Sequence, residues 1–180
     1  MEKGEARIIL GSGKLFMVEY SGTIPEDATI ETEGNRFGYI KNGATLEYKG
    51  TPVTVSDDLG IVSRTILTQE EVLLKTASAT INGTMLQKLT PTARVTEAAG
   101  VRTTKIGGIA NQDGKNYLVR FLHEDAEGGD VRVTIVGKNQ AGFALTFKPD
   151  TSEPTSLEFK ATPQDSEGTL VSIKEEIPVV

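Results

Sequence analysis

The residues equipped for chemistry in this chain are few. His123 is the only histidine among 180 residues, and histidine is the one side chain whose ordinary pKa places its charge change near neutrality. A catalytic dyad or triad would have to be built on it, with Ser, Asp or Glu close in space. It closes the apolar run YLVRFLH and precedes Glu124 and Asp125, so it reads as an ordinary strand-end histidine. One histidine cannot supply a multi-histidine metal site. With no cysteine in the chain, a disulfide, a thiolate zinc ligand and a thiol nucleophile are all excluded. Adjacent acids occur at Asp57-Asp58, Glu70-Glu71, Glu124-Asp125 and Glu175-Glu176. Neighbours on a strand point to opposite faces, so these pairs are not the facing carboxylates that glycoside hydrolysis needs. Asp57-Asp58-Leu59-Gly60 also lacks the further ligands of a calcium loop. The glycine clusters at 11–13, 106–109 and 127–130 fit neither a phosphate-binding loop nor a dinucleotide fingerprint, and read as turns. The sequence therefore predicts no enzyme, no catalytic, cofactor-binding or metal residue, and no cofactor.

The elements that carry these residues are mostly short strands. RIIL (7–10) and KLFMVEY (14–20) flank a Gly-Ser-Gly break. Residues 21–35 are polar and acidic with neither helical nor strand period, which predicts an extended loop. A loop that long needs a task such as contacting a neighbour. RFGYI, Asn42-Gly43 and ATLEYKG predict a hairpin with a primed turn. TPVTVSDD continues extended. IVSRTIL and EVLLKTASATI read as strands, the latter because TASAT suits a helix poorly. Asn82 or Thr84 caps a short helix through MLQKL that Pro91 stops, with Met85, Leu86 and Leu89 on its core face. ARVTEAAGVRTTK breaks near Gly100, and RTTKIG is read as a strand.

From Tyr117 onward the alternation is cleaner. Val131, Val133 and Ile135 oppose Arg132 and Thr134. Phe143, Leu145 and Phe147 oppose Ala144, Thr146 and Lys148. Leu157, Phe159 and Ala161 oppose Glu158 and Lys160. One apolar face per strand predicts a sheet packed on one side only. The expected fold class is mainly β: a β-sandwich or partly closed barrel with one short α-helix, as a single domain over 1–180.

Composition agrees with a folded chain, at 37% hydrophobic and 24% charged residues. The first 20 residues lack a signal-peptide core. No apolar run approaches the ~20 residues of a membrane span. The expectation is a soluble protein made in a cytoplasm. The net charge of −6 is unevenly spread. Residues 19–58 carry eight acids against three bases, residues 150–180 seven against two, and residues 59–149 eight against eleven. Acidic flanks around a basic middle suit self-association through complementary faces. They do not suit a nucleic-acid binder with a basic patch and aromatic platforms.

Three segments together, KNGATLEYKGTPVTVSDDLG (41–60), GDVRVTIVGKNQAGFALTFKPD (129–150) and LEFKATPQDSEGTLVSIKEEI (157–177), resemble the major tail tube protein of long-tailed bacteriophages, especially those of Gram-positive hosts. The resemblance covers most of the chain, most strongly 38–76 and 102–176, and it is a pattern of strands and turns. It implies the tail tube fold, a β-sandwich flanked by one helix. It further implies a structural virion protein whose hexameric rings stack into a hollow tube through which double-stranded DNA is ejected. The partners so implied are further copies of the chain, the tape measure, tail terminator and baseplate proteins, and DNA passing without specific binding; no membrane is involved. The location implied is the virion tail, assembled in the bacterial host cytoplasm. Contractile tails, non-contractile tails and phage-derived bacteriocins are all compatible with such a subunit. No segment is expected to form the immunoglobulin-like domain that some members append.

Within this resemblance, Glu47, Asp57 and Asp58 are the candidates for an acidic lumen that repels phosphate. Pro25, Glu26, Asp27, Glu31 and Glu33 in the 21–35 loop, with Lys174, Glu175 and Glu176 in the 174–180 tail, are the candidates for contacts between rings. The alternative reading is a monomeric β-sandwich binding module of carbohydrate or adhesin type. The absence of Trp and the 6% aromatic content argue against sugar-stacking platforms.

Overall fold

A computed structural model describes residues 12–126, 128–149 and 153–177. The expected strand at 7–10, parts of the glycine clusters at 11–13 and 127–130, and the tail end at 178–180 lie outside the described residues. The protein is mainly β, and the described residues form nine strands and two α-helices: β1 (Lys14–Glu19), α1 (Asp27–Ile30), β2 (Ile40–Ser56), β3 (Ser63–Ser78), α2 (Gly83–Leu89), β4 (Arg94–Ala98), β5 (Val101–Lys105), β6 (Tyr117–His123), β7 (Val131–Asn139), β8 (Thr155–Thr162) and β9 (Val171–Glu175). Single 3₁₀ turns follow α1 at Glu33–Asn35 and β5 at Ile109–Asn111.

One antiparallel sheet runs in the order β1-β6-β7-β8-β3-β2, and β4 with β5 forms a separate hairpin. The sheet divides at β7. Residues 131–135 pair with β9 and residues 136–139 pair with β8. Gly137 sits at the fork, where a Cβ would lie 2.0 Å from the Lys160 carbonyl oxygen, so only glycine allows this approach. The sheet then curls. Leu15 and Met17 of β1 join the same buried cluster as Val72 and Leu74 of β3 and Leu157 and Phe159 of β8. The result is β-sandwich-like but not closed, since β1 and β2 end the strand order without pairing.

Helix α2 lies over this core as its sequence predicts. The Asn82 side chain accepts from the Met85 N–H at 3.0 Å, and Met85, Leu86 and Leu89 are buried. Phe37 meets Phe159 edge to face at 6.5 Å between ring centres. Such pairs add to the burial of two large side chains.

Several expectations are corrected. Asn42 and Gly43 do take positive φ values of 67° and 70°. They build a bulge inside β2, not a hairpin turn, and the chain continues straight on to Ser56. The bulge is fixed by the Thr76 hydroxyl donating to the Gly43 carbonyl at 2.8 Å. The alternating run at 143–148 forms no strand. Phe143 packs against the core, while Phe147 is 91% exposed. Residues 21–35 are not a plain loop but contain α1 and a 3₁₀ turn.

The sheet is also not packed on one side only. Behind β1, β6 and β7 a second cluster of Phe16, Leu118, Leu122 and Val136 lies with Ile30 of α1. Arg120, Arg132 and Thr134 are buried on that same face. Their polar alternation signals an ion network, not solvent. No helix among the described residues is long and apolar enough to cross a membrane.

Candidate self-assembly surface

Strands β2 and β3 pair over almost their whole lengths, but only the first half of β2 and the second half of β3 belong to the body. From residue 48 to residue 70 every side chain is exposed. This part is a two-stranded arm without a covering layer. Beyond Gly50 it extends for about 20 Å, at ~3.4 Å per residue. Its register slips between Thr51 and Pro52, which leaves Thr68 as the extra residue. The Thr68 hydroxyl closes that bulge by donating to the Thr51 carbonyl at 2.9 Å. Bulges re-aim strands, and a proline at such a point costs no ladder bond.

Past the bulge the arm has two unlike faces. Val53 lies opposite Ile66 and Val55 opposite Arg64, which makes one largely aliphatic side. Thr54 and Thr65 share a 2.7 Å hydroxyl contact on the other. The tip is a tight turn built by Asp57. Its Oδ1 accepts from the Val62 N–H at 2.8 Å, and its carbonyl accepts from Gly60, whose φ is 69°. Asp58 stands exposed beside Leu59 and Ile61, which are 80% and 77% exposed. An aliphatic face and tip displayed this fully are the marks of a contact surface.

Glu47 lies elsewhere, on the outer face of the β2-β3-β8 sheet. Lys75 donates to it at 2.8 Å and also lies 3.6 Å from Glu158. Lys160 pairs with Glu71 at 2.6 Å across the next strand. The hydrogen bonds from Lys75 and Lys160 hold the Glu47 and Glu71 carboxyls below their usual range. This face is a ladder of alternating charge, not a row of free carboxylates. The three lumen candidates thus occupy two places: Glu47 in the ladder, and Asp57 with Asp58 at the arm tip.

The inter-ring candidates converge instead on two buried arginines. Arg120 Nη1 lies 2.5 Å from Asp27 and 3.1 Å from Glu31. Arg132 meets Glu31 at 2.8 Å, Glu176 at 2.6 Å and Asp130 at 3.3 Å. Lys174 completes the group by pairing with Asp27. The hydrogen bonds that Arg132 donates to Glu31 and then to Glu176 raise its guanidinium further above its ordinary range. The Lys174 hydrogen bond, then Arg120, lowers the Asp27 carboxyl. These contacts clamp α1 and β9 to the sheet. Glu33 pairs with Arg36 at 3.3 Å, while Pro25, Glu26 and Glu175 stay at the surface with no such pairing among the described residues. Sequence reasoning missed Arg120 and Arg132; two arginines at alternate positions of otherwise apolar strands were the available signal.

His123 is buried in β6 with Nδ1 3.0 Å from the Ser12 carbonyl oxygen. No group of three or more His, Cys, Asp or Glu among the described residues could hold a metal ion. Searches against known proteins found no matching family model and no significantly similar curated protein.

Proposed function

We propose that the chain is the tube-forming subunit of a long-tailed phage tail, assembling as hexameric rings that stack around a bore for double-stranded DNA. The observation that carries this reading is the 48–70 arm. A two-stranded hairpin has little stability of its own in water. One that displays Val53, Val55, Ile66, Leu59 and Ile61 to solvent is explained by a partner surface that covers it. A contact between unlike surfaces of identical chains closes into a ring or continues without limit, and a tube uses both.

The charge-balanced face of β2, β3 and β8 suits a bore wall. In this ladder Lys75 and Lys160 are each paired with a carboxylate, and Lys49 stands opposite Glu71 on the same face. Few condensed counterions would be released there by a passing phosphate backbone, so DNA would slide without being held. The tape measure, terminator and baseplate proteins would then meet the two ends of the stack.

Concentrated protein examined by size-exclusion chromatography and negative-stain microscopy should give rings or hollow tubes. A strict monomer at every concentration would overturn the proposal and favour a monomeric binding module.

A further inference from the structure

A pocket of about 440 Å³ opens beside α2, lined by Arg36, Tyr39, Ile81, Met85, Lys88 and Arg102 among others. Its charge is lopsided: three cations face it, and Glu33 is the only acid in its lining. Arg36 stacks over the Tyr39 ring at 4.5 Å, and its Nε is buried without a hydrogen-bond partner among the described residues. Lys88 donates to the Met17 carbonyl at 2.7 Å. Burial alone lowers its ammonium below the ordinary lysine range, with no carboxylate offsetting it. Arg102, from β5, holds Glu97 at 2.5 Å and remains partly exposed. Ile81 and Met85 give the pocket an apolar floor. The volume falls in the range of sites that bury a ligand. The ligand this lining asks for is a carboxylate flanked by aliphatic side chains.

The arm tip has that composition, with Asp58 beside Leu59, Ile61 and Val62. It cannot reach the pocket of its own chain by extension. Gly38 and Tyr39 line the pocket just before β2 begins, and the tip follows where β2 ends. The 17 residues of β2 separate the two by up to about 58 Å, at ~3.4 Å per residue.

We propose that residues 58–62 of one copy seat in the pocket between Arg36, Lys88 and Arg102 of a second copy. Asp58 faces the cations, and Leu59 and Ile61 face Ile81 and Met85. Plug and socket lie at opposite ends of one long strand, so each docked copy presents a free plug onward. The contact is heterologous and does not close, which generates a stack. The inference rests on the tube reading and assigns its axial contact.

The chain has no cysteine, so a disulfide can report the contact directly. The Asp58→Cys/Arg102→Cys double variant, oxidised under assembly conditions, should give a ladder of covalent multimers beyond the dimer on a denaturing gel. Each single-cysteine variant should stop at dimers. Asp58→Arg alone and Arg102→Asp alone should each raise the concentration needed for assembly about tenfold or more, and the combined swap should recover most of the loss. Both sites are exposed, so folding is preserved, and circular dichroism checks it. Wild-type tubes with no ladder, or single variants that assemble normally, would overturn this contact and leave the tube reading standing. A wild type that stays monomeric would overturn both.

Discussion

The two halves of the β2-β3 hairpin differ in almost everything except their backbone. In the body half, Val72 and Leu74 are buried in the main core, and Lys75 is paired with Glu47 and Glu158 on the opposite face. In the arm half no residue of the same two strands is buried, and Val55 is 66% exposed. Local preference cannot explain the contrast. The arm half is the richer in β-branched residues, and both halves keep an antiparallel register. What changes is the availability of a second layer. The body half is covered by α2 and the curled sheet, with β8 paired along its edge, while past Gly50 none of the described residues covers the arm. Strand pairing is therefore specified by local sequence, and burial is specified by whatever arrives to complete it.

The largest test of that contrast lies in the body. Phe159 is fully buried and packs edge to face on Phe37. Phe159→Ala should lower the unfolding free energy by about 3–5 kcal/mol, read as a shift in the denaturant midpoint at unchanged slope. A loss below about 1 kcal/mol would mean that the core clusters around other residues.

The ion clamp comes next. Glu31 is shared by Arg120 and Arg132, so Glu31→Ala leaves two buried guanidinium groups short of a carboxylate. Breaking a buried pair from one side costs about 3 kcal/mol or more. α1 should loosen first, because it is a single turn with no side-chain cap. Amide exchange at Ile30 and Glu31 should accelerate more than in β6.

Acid should act on the same cluster. Lys174, then Arg120, depress the Asp27 carboxyl, so its stabilisation is present above the ordinary aspartate range and fades as pH falls through the lowered value, below about pH 4. Lys174→Met removes the largest cause. The variant should be less stable than wild type at pH 6, with the difference shrinking toward pH 2. A difference constant with pH would mean that Lys174 contributes packing, not charge.

How far the sequence revealed these features follows from the same physics. The cap at Asn82 and the buried trio of α2 were legible because both are local patterns. Strands β7 and β8 were legible by alternation. The failure at 143–148 is instructive: FALTFK alternates as well as its neighbours do, yet β7 pairs directly with β8 and β9 and leaves no edge for it. Period 2 reports a readiness to pair, not a place in a sheet. The Asn-Gly pair at 42–43 predicts a turn, but positive φ serves turns and bulges alike, and only the partner strand decides between them. Alternation puts Arg132 on a polar face without saying whether that face is wet, because a buried ion pair and an exposed charge are identical in a single sequence. Asp27, Glu31 and Glu176 lie far from Arg120 and Arg132 in sequence, so only the fold reveals that they pair with them.

The smallest effect on stability should come from the arm, and it divides the two halves most sharply. Val53→Thr, Val55→Thr and Ile66→Thr together keep the β-branched backbone preference while making the arm's aliphatic face polar. These side chains bury little in the monomer. The triple variant should therefore stay within about 0.5 kcal/mol of wild type per site in denaturant unfolding. On the proposed tube reading, its assembly, followed by light scattering, should fall sharply relative to wild type. Two outcomes would sink the contrast. Unfolding as severe as that of Phe159→Ala would mean that the arm folds onto its own body in solution. Assembly equal to wild type would mean that the face centred on Val53 and Ile66 meets no partner, and the arm's exposure would then need another cause.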